Sequence, residues 1–366
     1  MTLRPDLTII VVSTNEVTWL DRCLTTVYEH AGDVSLDVIV VDNNSVDGTA
    51  DFVRTRFPEA RVVWCENHGF GHANNRAIMS TNARYVLLLN PDTEIVSGTF
   101  EQLVAAMDAR PEVGLAGVKQ LDGEGNLFPT IRRRPHALRT FVEAMGSERL
   151  PVTWRGFGER ELRPAVYERE VRCDWTSGSF MLIRSEALQS AGLLDERSFI
   201  YAEEPDLCRR IQANGWEVRH LPLATIIHHA GKAGIKPKLL AQDVWARLHY
   251  GRKHMSLTHR AFLRVAIALK YGLRLAYALV GRQGPEARRA NVAALRVLFG
   301  LAGAPFETPP RTALRPLESR QSTPARDVDP PEDQSPPSVG TSSSMRRSRT
   351  PLAKLALILA RFVEGS

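Results

Sequence analysis

Two carboxylates stand two residues apart at Asp92 and Glu94, where the apolar run 86–89 breaks into Asn-Pro-Asp-Thr-Glu. Oxygen donors of this kind suit a hard divalent cation, and such a cation in turn binds phosphates. A D-x-E pair is common by chance; its place at the end of an apolar strand is what gives it weight. A second acidic set, Glu203-Glu204-Pro205-Asp206, offers paired carboxylates. Neighbouring carboxyls raise one another's pKa, and one of them then serves as a general base near neutral pH. Acids also suit the first turn of a helix, so capping and chemistry are both open there. His228 and His229 follow the apolar stretch ATII and add imidazoles to the candidate metal ligands.

These residues need elements to position them. LTIIVVS (7–13), LDVIVVD (36–42), VVWCE (62–66) and YVLLLN (85–90) are apolar, largely β-branched runs without alternation. That is the pattern of strands buried on both faces of a parallel sheet. Helix-like stretches near 17–30, 49–57 and 71–82 separate them, so an open α/β sheet is expected. Ligands in such sheets sit beyond the carboxyl ends of the strands. Ser13-Thr14-Asn15, Asp42-Asn43-Asn44, Glu66-Asn67 and Asn90-Pro91-Asp92 all fall there. One such cluster reads as a loop or a helix cap; four in register read as a site. Further along, residues 147–170 read as an exposed loop and DWTSGSFMLIRSEAL as a strand followed by a helix. EEPDLCRRIQANG reads as a helix closed by Gly215, and a short strand is expected near 217–220.

With 366 residues, 43% hydrophobic and 24% charged, the chain is long and apolar enough for a large core with extensions. Its net charge of +6 favours an anionic partner, and the excess is local: residues 251–300 alone carry +9. On a helix, Arg260, Arg264, Lys270 and Arg274 fall within an arc of about 120°. Charges inside the segment argue against a spanning helix. A basic amphipathic helix on an anionic membrane surface is expected instead. Nucleic acid is not, because regularly interleaved aromatics are lacking. Cys23, Cys65, Cys173 and Cys208 form no zinc or disulfide pattern, which fits a reducing cytoplasm. The N-terminus carries no signal-peptide pattern and reads as the first strand. The expected organisation is a catalytic domain over 1–240, a basic helical region over 241–306, a Pro/Ser/Arg-rich disordered linker over 307–350 and a short apolar, basic tail over 351–366.

TIIVVSTNEVTWLDRCL, VIVVDNNSVDGT, ENHGFGHANNRAI, LLLNPDTEI, WTSGSFMLIRSEAL, GLLDERSFIYAEEPDLCRRIQANGW and HHAGKAG, in that order, resemble the inverting, nucleotide-sugar-dependent glycosyltransferases of family two. The resemblance runs over about residues 6–235 and is nearest to bacterial rhamnosyltransferase-like members. It implies a GT-A fold: a mixed, mostly parallel sheet with flanking helices. It implies a nucleotide-sugar pocket from Ser13, Asn15, Asp42, Asn67, Gly69 and Asn75, and a donor-sugar and acceptor segment at Trp175, Ser177 and Gly178. It places Mg²⁺ or Mn²⁺ on Asp92, Glu94 and His228, and the base at Glu204, beside Glu203. The implied partners are a nucleoside diphosphate sugar and a glycan or polyprenyl-linked acceptor, met at the cytoplasmic face of the cell membrane. Three positions depart from the family: Glu94 and Glu204 stand where Asp is usual, with Pro205 after the latter, and Ala233 where Ser is usual. A sugar nucleotidyltransferase is disfavoured, since STNEVTW lacks the Gly-rich basic loop; a catalytically degenerate membrane-bound scaffold is the other alternative.

Overall fold

The computed structural model describes residues 4–144, 157–229, 236–282, 284–306 and 308. Among these residues nine strands form one sheet: β1 (Leu7–Ser13), β2 (Leu36–Asp42), β3 (Arg61–Trp64), β4 (Tyr85–Leu89), β5 (Thr93–Ser97), β6 (Val113–Leu121), β7 (Val171–Arg172), β8 (Phe180–Arg184) and β9 (Glu217–His228). Their order is β3-β2-β1-β4-β8-β6-β9-β5, with β7 pairing against β9. β1, β2, β3, β4, β6 and β9 run one way; β5, β7 and β8 run the other. This is the mixed, mostly parallel α/β architecture that the resemblance implied.

Helices cover the sheet: α1 (Val17–Glu29), α2 (Thr49–Arg56), α3 (Phe70–Ile78), α4 (Phe100–Asp108), α5 (Ala137–Ala144), α6 (Ser185–Ala191) and α7 (Glu203–Ala213). The sheet's apolar side chains divide between two cores, one on each face. Ile9, Val11, Val40 and Leu87 pack with α1 and α4, while Ile10, Ile39, Leu88 and Ile183 pack with α3, α6 and α7. Burial on both faces is why these strands read as unbroken apolar runs.

α8 (Pro237–His254), α9 (Leu257–Tyr277) and α10 (Pro285–Leu298) form a helical layer with a core of its own. Ala137 of α5 joins that core beside Val244, Leu263, Ile267, Tyr271 and Leu298. The boundary expected at 240 thus falls inside α8. The expected linker over 307–350 and tail over 351–366 lie, but for residue 308, outside the described residues.

One expectation is corrected. The described part of the 147–170 segment is not simply exposed: Glu159, Glu161 and Tyr167 are buried. Glu161 accepts from Arg133 and Arg163, and Tyr167 donates to its backbone carbonyl. The basic arc of α9 lies on the side of the helix that packs, with Tyr271, Ile267 and Leu263 in the core there. Lys270 is only 8% exposed; Arg264 and Arg274 stay exposed, and Arg264 donates to the Leu298 carbonyl at the end of α10.

Candidate active site

One edge of the sheet gathers the polar residues. In the parallel register Ser13 lies opposite Asp42, and Asp42 opposite Trp64. β8 runs antiparallel to β4, so Phe180 pairs with Leu89 and the Ser177–Ser179 turn arrives beside Asn90. The Asn90 amide donates to the Ser179 carbonyl at 3.1 Å. β9 enters from the far side, pairing His228 with Thr93. The ends of β1, β2, β4 and β9 therefore meet the start of β8 along this edge, the place where an α/β sheet binds ligands.

At the β1–β2 end, the Asp42 carboxylate accepts from the Ser45 amide at 2.8 Å, and Asn15 accepts from the Val46 amide at 2.7 Å. Asn15 holds a left-handed backbone, φ 57°, which Asn tolerates better than most residues. Ser13 is fully buried, and among the described residues its hydroxyl has no hydrogen-bond partner. Asn67 is exposed. These four residues stand at or just after the carboxyl ends of β1, β2 and β3.

Gly69 and Asn75 have a different role. Both amide ends of Asn75 are engaged: Nδ2 donates to the Leu194 carbonyl and to Glu196, and Oδ1 accepts from the Leu194 amide. Gly69 has φ 105°, and a Cβ there would lie 2.1 Å from the Phe199 carbonyl oxygen. The two residues fasten the 194–199 loop to α3.

Asp92 and His228 converge, with Oδ1 3.2 Å from Nε2. Glu94 does not join them. It sits within β5 rather than in the turn before it, and its Oε1 accepts from His229 at 2.9 Å and from Arg22 at 3.4 Å. His229 in turn stacks on Trp19, with ring centroids 4.6 Å apart. Among the described residues no three His, Cys, Asp or Glu side chains are grouped to hold a metal ion. Asp92 and His228 nonetheless fit a divalent cation that completes its shell from phosphate oxygens and water, as Mg²⁺ usually does. Among the described residues the Nδ1 of His228 has no partner, while its Nε2 faces the carboxylate.

The acidic set opens α7. Tyr201 and Ala202 both hold left-handed backbones, φ 75° and 68°, a strain that persists only when the surroundings over-determine it. Glu204 beyond them is half-buried and lies against Gly178: a Cβ on that glycine would come within 2.7 Å of Oε1. Burial pushes the Glu204 carboxyl above the ordinary range, against the nearby charge of Arg132. Glu203 is 1% exposed, and among the described residues its Oε2 has no partner. Its carboxyl is raised above the ordinary range, by burial and then by the neighbouring Glu204. Burial thus favours the neutral form of Glu203. Trp175 is pinned by its indole N–H to the Arg133 carbonyl at 2.9 Å, with the Arg132 guanidinium 5.3 Å from its ring. Ser177 accepts from Ser179.

Sequence reasoning passed over Glu16. It stands at the start of α1, and burial together with Asp92 and Asp47 pushes its carboxyl up to about 6. The only signal was its place directly after the polar end of β1.

The family described as "Glycosyltransferase like family 2" matches residues 5–247. The chain belongs to that family. This glycosyltransferase-family chain is 32% identical over 206 residues to the N-acetylglucosaminyl-diphospho-decaprenol L-rhamnosyltransferase of Mycobacterium tuberculosis strain H37Rv, a match covering 53% of this chain and 66% of that protein. It is 24% identical over 172 residues to the rhamnosyltransferase WbbL of Escherichia coli K12, covering 44% of this chain and 61% of that one. The chain therefore spans less than two thirds of the length of these relatives. Among solved structures it is similar to the mannosyltransferase PcManGT from Pyrobaculum calidifontis in complex with GDP-Man and Mn²⁺. That match has a TM-score of 0.49 and 18% identity, over 82% of this chain and 88% of that one.

Proposed function

We propose that this chain is an inverting glycosyltransferase that moves a sugar, rhamnose in our reading, from a nucleoside diphosphate donor to a glycan or polyprenyl-linked acceptor. The setting would be cell-wall or surface polysaccharide synthesis at the cytoplasmic face of the cell membrane. The observation that carries this reading is Glu204: one carboxylate, raised in pKa, held by a strained turn against Gly178 on the sheet edge that also carries Asp92 and His228. Relatives named as rhamnosyltransferases, one with a decaprenyl diphosphate-linked substrate, support the choice of sugar and acceptor.

Ser13, Asn15, Asp42 and Asn67 form the side of the site where base and ribose are received. Asp92 and His228 would hold Mg²⁺ or Mn²⁺, which supplies positive charge where the leaving diphosphate gains negative charge. Trp175 and the Ser177–Gly178 turn bound the space beside Glu204 where sugar and acceptor meet. Glu204 takes the proton of the acceptor hydroxyl as its oxygen bonds the anomeric carbon and the bond to the diphosphate breaks. A single displacement of this kind inverts the anomeric centre, with one carboxylate base and no covalent sugar–enzyme intermediate.

The test is transfer from dTDP-rhamnose to a polyprenyl diphosphate-linked N-acetylglucosamine. Glu204→Gln should lower kcat by roughly 10²–10⁴-fold, the usual worth of a general base, while leaving donor binding and the melting temperature intact. Intact donor binding with no transfer by the wild type would instead favour the scaffold.

A further inference from the structure

A cavity of about 340 Å³ opens beside α5, lined by Arg133, His136, Leu138, Arg139 and Phe157. Openings of that size hold small organic ligands. The chain around it is basic: residues 132–139 carry Arg132, Arg133, Arg134 and Arg139 and no acid. Arg133 is neutralised, since its guanidinium lies 2.6 Å from Glu161 and also donates to the Gly158 and Arg160 carbonyls. Glu161 is shared with Arg163, so its single charge already serves two cations. Arg139 stands apart. It is half-buried and donates to the Arg134 carbonyl at 2.7 Å, and among the described residues no carboxylate pairs with it. Burial holds its pKa below the ordinary value, so the charged form is disfavoured where it stands and an anion beside it would restore it. The Nδ1 of His136 accepts from the Leu138 amide at 3.3 Å, which leaves Nε2 to carry the hydrogen as a donor. Leu138 and Phe157, 54% and 55% exposed, give the same cavity an apolar wall.

We propose that this cavity receives the diphosphate of an isoprenoid diphosphate-linked acceptor, with Arg139 and His136 on the phosphates and the first isoprene units against Leu138 and Phe157. The proposal deepens the function given above and rests on it. A guanidinium matches phosphate oxygens with two parallel N–H donors, and such charge-assisted bonds are the strong ones. Position selects the acceptor's diphosphate over the donor's. The strip 132–134 both walls the cavity and supports Trp175: the Arg132 amide donates to the Trp175 carbonyl at 3.0 Å, and the Trp175 indole donates to the Arg133 carbonyl at 2.9 Å. The charge of Arg132 in turn acts on Glu204. The cavity therefore adjoins the side of the site assigned to the acceptor. None of its five lining residues belongs to the turn or the strand that carries Asp92 and His228. In a lipid-linked acceptor the diphosphate is bonded to the sugar being extended, so one sugar ring separates it from the hydroxyl that Glu204 deprotonates. A subsite for it has to lie next to Trp175 and Glu204, as this one does. The apolar wall suits a prenyl chain and offers nothing to inorganic phosphate or a nucleotide.

Calorimetric titration of the full chain with farnesyl diphosphate tests this, in EDTA so that no metal bridges the ligand to Asp92. The wild type should bind farnesyl diphosphate more tightly than inorganic diphosphate, and farnesol, which lacks the charge, should not compete. Arg139→Gln should weaken binding by at least about tenfold, and Arg139→Lys should recover part of the loss. Leu138→Glu, at an exposed position, should weaken it as well with the melting temperature unchanged, which keeps the test decisive should the Arg139 variants fold poorly. Asp92→Ala should bind farnesyl diphosphate as the wild type does, and Arg139→Gln should keep the wild-type response to dTDP with Mn²⁺. Four results would overturn the proposal. The wild type does not bind farnesyl diphosphate; Arg139→Gln and Leu138→Glu bind it as the wild type does; inorganic diphosphate binds as tightly, which leaves a site for free anions; or Asp92→Ala loses binding that Arg139→Gln keeps, which puts the diphosphate in the donor's place. Binding is read without sugar transfer, so a chain that binds farnesyl diphosphate through Arg139 and transfers no sugar contradicts the transferase reading and not this subsite.

Discussion

Glu203 and Glu204 are adjacent, and burial alone separates their roles. Glu204 reaches a turn at the sheet edge, whereas Glu203 points into the core with one oxygen unpartnered. If Glu204 is the base, kcat/KM should fall on acidification with an apparent pKa above the ordinary carboxylate value of 4.5, and Glu204→Gln should remove that limb from the residual activity. Glu203 makes a stability prediction with its own sign. Its folded pKa is raised, so its neutral form favours folding fully below the unfolded value near 4.5. That contribution declines as pH rises toward the folded pKa, because the unfolded carboxyl ionises first. Glu203→Gln should therefore flatten the fall in melting temperature as pH rises above about 4.5. At this scale the sequence was a mixed guide. The sequence order brought Asp92 near His228 and Glu204 near Gly178 as expected of neighbours at one sheet end. It did not show that Asn75 and Gly69 hold the 194–199 loop, because an amide that clamps a loop and an amide that binds a ligand look alike in sequence. Glu16 was missed because a lone acid carries no pattern.

Among the elements, β1 to β4 and the three helices between them matched expectation closely, since burial on both faces writes itself as unbroken apolar runs. β5 and β6 were not legible. β5 is five residues long, and β6 carries Gly114, Gly117, Lys119 and Gln120, which break any apolar run. β9 was expected as a short strand but extends over 12 residues, paired with β6 on one side and with β5 and β7 on the other. The α3–loop junction offers a test at this scale. Gly69→Ala puts a methyl into the Phe199 carbonyl and an unfavourable φ on alanine, so it should cost more than about 2 kcal/mol of stability. Because the same loop leads into Tyr201 and Ala202, a variant that still folds should lose kcat more than donor affinity. Equal losses in both would detach this clamp from the placement of Glu204.

The whole molecule is held together by charges that read, in sequence, as a basic surface. Lys253 lies 2.8 Å from Asp195 and 2.6 Å from Asp206, His254 2.6 Å from Asp206 and His249 3.1 Å from Asp195. These contacts bind the end of α8 to α7 and to the loop before it, so part of the excess charge secures the helical layer. Burial opposes ionisation of Asp206, but the His254 hydrogen bond and the Arg210 and Lys253 charges hold its carboxyl down to about 2. Its contribution to stability is present above the unfolded value near 3.8 and lost as pH falls through about 2. Asp206→Asn should cost roughly 3 kcal/mol and raise hydrogen exchange along α8 before the sheet. The sequence located this charge but not its direction, since an arc of cations on a helical wheel does not say which side the rest of the chain covers. The most direct test of the central claim is thermal melting against UDP, dTDP and GDP, each with and without Mn²⁺. A native-state ligand at one hundred times Kd stabilises by about 2.7 kcal/mol. One nucleotide should raise the melting temperature only with Mn²⁺, and Asp92→Ala should abolish the shift while Glu94→Gln retains most of it. No shift with any of the three, or a shift untouched by Asp92→Ala, would contradict a metal–diphosphate site at this edge of the sheet.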